Sequence, residues 1–445
     1  MTGLACVLAA GGTRGQDAQE PAAPQEAAPG GNPVFTLEEC IALGLEQAVA
    51  AINAQRDEQI AGKRIGQVRS QLLPQLSADG SYTRLDDVPA FDFGGEIVEM
   101  GREDNYAAGI EVSQLLYSGG SVGQALKAAK LYRGVAREEL RQARNELVRD
   151  IRTGFNDILL ADAQLDVQEA SLAQLEDLLA QAEARQRQET ASEMDVLAAR
   201  VRVANERPLV IRARKEQALA RAAFRNLVQI GPEAFDLDGD LVFEPSDRSL
   251  EDWQALAAER RPELRQLAGL LQMREAEILA ERGGGRPQVR AFAAYDGTNP
   301  ESGTAADEWD WGWSAGVTVE WDVFDGAGRS SRIAELQLEL DKARDTLADT
   351  ERQVALEVRT YYLDLQQAAE TVAAGTESVE LAEKSLEIAQ TRYDNGLATY
   401  LDVTEANVAL SRARVTRLLA LHGHMNALAR LRQASGEDYE TGERE

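Results

Sequence analysis

From Trp311 to Val323 apolar and polar residues alternate strictly. Trp311, Trp313, Ala315, Val317, Val319, Trp321 and Val323 fall on one side of an extended chain, and Gly312, Ser314, Gly316, Thr318, Glu320 and Asp322 on the other. The same period of two runs through Val289, Ala291, Ala293 and Tyr295, set against Gln288, Arg290 and Asp296. It returns earlier in Leu76, Ala78 and Tyr82, and again in Tyr106, Ala108, Ile110, Val112 and Leu116. The pattern predicts strands at about 75–84, 105–117, 288–296 and 311–324. Directly after the last of them the period changes. Ile333, Leu340, Leu347, Val354, Tyr361 and Ala368 recur every seven residues, a coiled-coil period. No proline lies between Gly120 and Glu189 or after Pro300. A helix of about 70 residues would span roughly 105 Å, against about 11 or 12 residues for an average globular helix. These helices describe a rod or tube.

The pattern also repeats. "FTLEECIAL" (35–43) resembles "RSLEDWQAL" (248–256), and both open at capping-box spacing, Thr36 with Glu39 and Ser249 with Asp252. One constant offset also carries Pro74-Gln75 onto Pro287-Gln288 and Tyr82 onto Tyr295. A slightly shorter offset carries "GIEVSQLLYSGG" (109–120) onto "GVTVEWDVFDGA" (316–327) and Asp195-Val196 onto Asp402-Val403. The chain therefore reads as a leader (1–33), a first repeat (34–231), a linker (232–248), a second repeat (249–436) and an acidic tail (437–445). Each repeat runs helix, strand, loop, strand, very long helix, tight turn, helix. The opening helix of the first repeat is expected to run to Leu72 or Leu73 and stop at Pro74.

Strands of about 10 residues suit a tilted crossing of a bilayer, with the apolar face toward lipid and the polar face toward a wet lumen. A soluble sandwich with its apolar face inward is the alternative, but it offers no role for helices this long. Four strands cannot close a barrel, and an open edge does not persist in lipid. Two chains would bring eight strands; three would bring twelve, wide enough for a channel.

Composition narrows the rest. A net charge of −28 over 445 residues argues against a nucleic-acid partner. No run of about 18 apolar residues marks a transmembrane helix. Two cysteines, Cys6 and Cys40, leave no disulfide framework or cysteine zinc site, and neither metal nor cofactor is expected. "MTGLACVLAAGG" reads as part of an export signal, short and without an early basic residue, as if its start were truncated or misassigned. Leu4-Ala5-Cys6 makes Cys6 a candidate lipid-acylation site, although Gly3 stands where such signals carry an aliphatic residue. The Pro-, Ala-, Gln- and Glu-rich stretch that follows reads as a disordered leader.

Two motifs that look chemical have plainer explanations. Gly119-Gly120-Ser121-Val122-Gly123 satisfies G-x-S-x-G, but its duplicate places Gly328 where Ser121 stands. What repeats is a corner of small residues at Gly119, Gly120, Gly326 and Gly328. His422 and His424 stand two apart on a helix, hence on diverging faces. Nothing resembles a phosphate-binding loop, so no enzyme activity is expected and any energy for transport comes from a partner.

At this point the chain resembles the TolC-like outer-membrane efflux protein family. "FTLEECIALGLEQ", "LLPQLSADGSYTR", the corner "WDVFDGAGR" and "RYDNGLATYLDVTEANVALSRAR" (392–414) carry the resemblance, which covers Phe35 to Gly436 in both copies. It implies a homotrimer: a 12-strand outer-membrane barrel in lipid, joined to a coiled-coil α-helical barrel in the periplasm. It implies a periplasmic adaptor (membrane fusion) protein and an inner-membrane pump as partners, in tripartite efflux or type I secretion. It also implies a constriction at the periplasmic tip, where Asp402 and Glu405 match the family's acidic ring. Asp195 matches a residue that helps tie the closed tip. The tip turns fall at Glu189, in place of the usual glycine, and at Gly396. Ala398 stands where some members carry a latching arginine. Converging carboxylates would favour cations at a narrow entrance; the plainer alternative is an acidic helix N-terminus favoured by the dipole. A periplasmic coiled-coil adaptor or scaffold without a pore is the competing reading, and it should lack the four strands.

Overall fold

A computed structural model describes residues 32–437, apart from 88–89, 93, 96, 100–101, 190–191, 232–233 and 300–308. Cys6, the leader up to residue 31 and the tail beyond 437 lie outside the described residues. The first half runs β1 (Val34–Phe35), α1 (Leu37–Gln47), α2 (Val49–Ser70), β2 (Gln75–Arg84), the short β3 (Ala90–Asp92) and β4 (Ile97–Glu99), then β5 (Asp104–Tyr117), α3 (Ser121–Arg187) and α4 (Glu193–Val228). After β6 (Asp236–Leu237) the order repeats as α5 (Leu250–Arg260), α6 (Pro262–Gly284), β7 (Gln288–Asn299), β8 (Asp310–Glu320), α7 (Gly328–Asp394) and α8 (Tyr400–Ala434). Both α3 and α7 are 67 residues long, about 100 Å at the helical rise. The duplicated helical rod with a four-strand sheet is as the sequence implies.

The long strands form one antiparallel sheet ordered β2-β5-β7-β8, so β2 and β8 are edges without a neighbour among the described residues. The register sets Tyr82 against Tyr106 and Tyr295 against Trp313. At the end of the sheet away from the long helices the rings of Trp309, Trp311 and Tyr295 stack in series at 5.4 and 5.3 Å. Tyr117, Trp321 and Phe324 stand exposed at the other end. On the polar side, Asp79, Gly109, Asp296 and Gly312 form one row across all four strands.

Four boundaries differ from the sequence reading, the simplest being β7, which runs on to Asn299. Strand β8 ends at Glu320, opposite Gln288, because Pro287 cannot extend the ladder; Trp321 lies beyond the strand and donates its indole N–H to Gly285 O. The opening helix is two helices. Ala48 (φ −65°, ψ 130°) breaks the first copy and Arg261 (φ −60°, ψ 123°) breaks the second at the matching place. The segment read as a linker is built into the fold. Strand β6 pairs in parallel with β1, Phe235 is buried, and Phe243 lies 4.5 Å from the His424 ring.

Both predicted capping boxes form, Thr36 with Glu39 and Ser249 with Asp252. Packing of the helices follows the heptads. Helices α3 and α4 are cross-linked by Arg200–Glu183, Arg207–Glu176, Arg214–Glu169 and Arg221–Asp162, at 2.7–3.1 Å. Partners advance seven residues per rung, in opposite directions on the two helices. Each exposed pair adds little stability, but together they fix the axial register. Helices α7 and α8 keep one rung, Arg414–Glu383 at 2.9 Å.

The duplicated cores fill the same space with different side chains. In the first copy Cys40, Ile151, Phe155, Ile158 and Phe224 pack with Phe235. Their counterparts Trp253, Val358, Tyr362, Leu365 and Leu431 pack in the second. Trp253 replaces a cysteine, and Val358 and Leu431 are smaller than Ile151 and Phe224, so part of the added volume is offset within the layer. Trp253→Cys should therefore cost about 3–5 kcal/mol, the range for truncating a buried aromatic. Adding Val358→Ile and Leu431→Phe should recover part of the lost thermal midpoint in detergent; no recovery would show that the two layers are not interchangeable.

Candidate functional site at the helical tip

The long hairpins turn at matching places. Helix α3 ends at Arg187 and Glu189 then takes a left-handed conformation, φ 61°; α7 ends at Asp394 and Gly396 does the same, φ 71°. The left-handed region costs a non-glycine residue roughly 1–2 kcal/mol, so Glu189 holds a turn that Gly396 makes without strain.

The candidate acids lie just past these turns and are tied to the chain. Asp195 is the third residue of α4: its carboxylate accepts from the Ser192 backbone N–H at 3.0 Å and hydroxyl at 2.8 Å, while the Ser192 hydroxyl accepts from the Asp195 N–H. Asp402 repeats the arrangement in α8, accepting from the Thr399 backbone N–H and hydroxyl, both at 2.7 Å. These donors hold the Asp402 carboxyl below the usual carboxylate range, the backbone bond foremost. Glu405 is exposed one turn further on. The two acids of α8 thus share a face, and Asp402 owes its position to a capping box. Asp195 is engaged in its own cap, and other groups join the two hairpins within the chain.

The sequence marks Tyr393, with Leu386, as a packing residue at helical spacing, but not its contact with Arg185. Leu178 and Ala182 of α3, Val196 and Ala199 of α4, Tyr393 of α7, and Tyr400 and Val403 of α8 form one buried cluster, with Ala398 packed against it. The Arg185 guanidinium lies 4.1 Å from the Tyr393 ring centre and 3.9 Å from the Asp394 carboxylate. Burial raises the pKa of the Tyr400 hydroxyl, with the neighbouring Tyr393 second. A cation over an aromatic ring thus ties α3 to the end of α7, although Ala398 carries no charge. One signal was present: the duplicate positions of Tyr393 and Tyr400 are Gln186 and Glu193, so these tyrosines break the repeat.

At the opposite end of the long helices, Gly119 (φ 66°) and Gly120 (φ 92°) turn the chain from β5 into α3. A side chain at Gly119 would collide with the Gly283 carbonyl. In the second copy Gly326 (φ 66°) and Ala327 (φ 69°) make this corner, and Gly328 is the first residue of α7. His422 and His424 serve packing: His422 Nε2 lies 2.6 Å from Asp157 Oδ1, and His424 Nε2 lies 2.8 Å from the Glu244 carbonyl.

Comparison with known proteins agrees with this geometry. The family model for outer membrane efflux proteins matches residues 42–228 and 253–437. Protein CyaE of Bordetella pertussis is 31% identical over 199 residues, 44% of this chain and 42% of its own, so the match spans under half of that relative. The alkaline protease secretion protein AprF of Pseudomonas aeruginosa is 24% identical over 83% of this chain and 77% of its own. The crystal structure of the Campylobacter jejuni CmeC outer membrane channel shares the fold, with TM-score 0.75 at 15% identity over 90% of this chain and 85% of that one. The chain belongs to the outer membrane efflux protein family.

Two outcomes follow for the tip. Gly396→Ala should speed amide exchange in the second turn, while Glu189→Gly should slow it in the first, because removed strain of about 1–2 kcal/mol exceeds about 0.5–1 kcal/mol of added chain entropy. The folded pKa of Asp402 is lowered, so its contribution is complete above the unfolded value and is lost as pH falls through the folded one. Amides opening α8 should therefore lose protection below about pH 4. Asp402→Ala should remove that acid limb; an unchanged profile would detach the cap from Asp402.

Proposed function

We propose that three copies of this chain close into a passive outer-membrane exit duct, whose sheet spans the membrane and whose helices cross the periplasm. The carrying observation is the sheet itself. Its strands are 10–14 residues long, both edges lack partners among the described residues, and one face presents Leu76, Trp313, Val317 and Val319 with 61–79% of their surface exposed. In water such a face and such edges invite aggregation. In lipid the face is satisfied, and pairing β8 with β2 of a second copy removes the edges. Three copies supply twelve strands. Aromatic residues at both ends of the sheet suit the two interfaces of a bilayer.

At the far end, Asp402 and Glu405 of three chains supply six carboxylates to a constriction, with Asp195 holding each first hairpin in place. Asp402 is charged at neutral pH and, its pKa being lowered, stays so further into acid, which favours cations at a narrow entrance. A periplasmic adaptor and an inner-membrane pump supply cargo and energy as partners at the tip. The relative named for alkaline protease secretion supports a secretion role, with polypeptide as the cargo class. Strands of membrane length weigh against a pore-less adaptor.

Detergent-extracted protein should run as a trimer and conduct in planar bilayers. Asp402→Ala with Glu405→Ala should raise conductance and weaken block by multivalent cations. Monomer recovered from the soluble periplasmic fraction would end the duct reading, and unchanged block would take these acids out of the constriction.

A further inference from the structure

Basic residues gather where the sheet meets the helices. Between Glu58 and Asp79 the chain carries Lys63, Arg64 and Arg69 and no acid. Between Glu111 and Glu138 it carries Lys127, Lys130, Arg133 and Arg137, again with no acid. Between Glu281 and Asp296 the charged residues are Arg282, Arg286 and Arg290. These stretches hold three of the four strand–helix corners, in a chain whose net charge is −28. The segments that join strand to strand, 85–103 and 300–309, are the reverse, with nine acidic residues and one arginine.

Three of these cations share one side of the helical layer. Helices α2, α3, α6 and α7 lie side by side in that order, continuing the strand order of the sheet. A cavity of about 890 Å³ is lined from all four, by Val68, Ala125, Met273 and Leu336 among others, and marks the concave side. Arg69, Lys127 and Arg282 each stand two positions from a lining residue, Gln71, Ala125 and Ala280. Two positions are about 200° round a helix, so all three lie on the convex side. Each is exposed, and none has an ion-pair partner among the described residues. Further from the sheet the cations are paired: Arg133 and Arg137 reach Glu58 at 2.8 and 3.4 Å. On the sheet side of the three, Leu73, Tyr117 and Trp321 are exposed. Apolar and aromatic groups with free cations just beyond them suit the edge of a bilayer.

In the trimeric duct, on which this rests, the concave side is the lumen and the convex side faces outward. We propose that Arg69, Lys127 and Arg282 of three copies form a collar that holds anionic glycerophospholipid of the periplasmic leaflet. Lys127 is seven residues past Gly120, about 10 Å below the corner, and its apolar stem can carry the charge back toward the headgroups. The three cations sit on adjacent helices, so a lipid phosphate between two helices meets two of them. A zwitterionic headgroup brings its own cation and loses this complementarity. Each cation near an anionic lipid surface is worth roughly fivefold in binding.

Lipid retention tests the collar on the full-length trimer in neutral detergent. Native mass spectrometry counts the lipid kept from an equal mixture of phosphatidylglycerol and phosphatidylcholine. The parent should keep phosphatidylglycerol at least about tenfold better. Arg69→Gln with Lys127→Gln and Arg282→Gln should remove most of that preference, and Lys127→Gln alone should fall between. Arg64→Gln with Arg332→Gln, cations that line the cavity at the same level, should change nothing. Equal retention of both lipids by the parent trimer, or an equal loss in the cavity pair, would overturn the collar alone. So would displacement of the lipid by millimolar inorganic phosphate, which marks a free-anion site, or tighter retention of lipid A, which marks the other leaflet. A parent that stays monomeric and carries no current in planar bilayers would overturn the duct reading itself.

Discussion

A backbone amide without a partner costs several kcal/mol in hydrocarbon, and β2 and β8 each present a row of them. Most of the architecture answers to that constraint. The sheet cannot be finished by its own chain, so the strands are the part of a larger closed surface. The corners into α3 and α7 then aim the long helices away from the membrane. Left-handed backbone at Gly119, Gly120, Gly326 and Ala327 turns each strand into its helix within a few residues. The helices inherit the same incompleteness, with leucines exposed along the outer face of α7.

Duplication solves the closure problem with half the design. The cores around Phe224 and Leu431 show how far the copies have drifted while each keeps a buried apolar layer. The ionic rungs show a different drift, since four remain on the first hairpin and one on the second. Where the copies agree, the requirement is the fold's; where they part, as at Tyr393 and Gln186, it belongs to one junction.

Local patterns were the readable part of the sequence. Period two located the strands because one face is apolar throughout, and heptads located α7 because its inner seam is unbroken. The spacing that marks Thr36 with Glu39 also marks Thr399 with Asp402, so the capping role of that acid was legible beside its charge. The break at Arg261 was signalled by Pro262, but its counterpart Ala48 carries no proline or glycine and lies buried in the first core. The end of β8 depended on which residue it would face. The Arg185–Tyr393 contact joins groups over 200 residues apart in sequence, and no local rule pairs them.

The ladder on α3 and α4 also limits how such a protein can change size. Each rung pairs one residue on the way out with one on the way back, seven residues apart on both helices. An insertion of any other length in one helix would slide arginines past their carboxylates and rotate the buried seam toward water. The hairpin can lengthen only by whole heptads added to both arms together, about 10.5 Å of reach for each. To keep the tips level, the second hairpin must gain the same number. The distance a duct of this kind spans is thus inherited in discrete steps, and relatives serving envelopes of different depth should differ by paired multiples of seven.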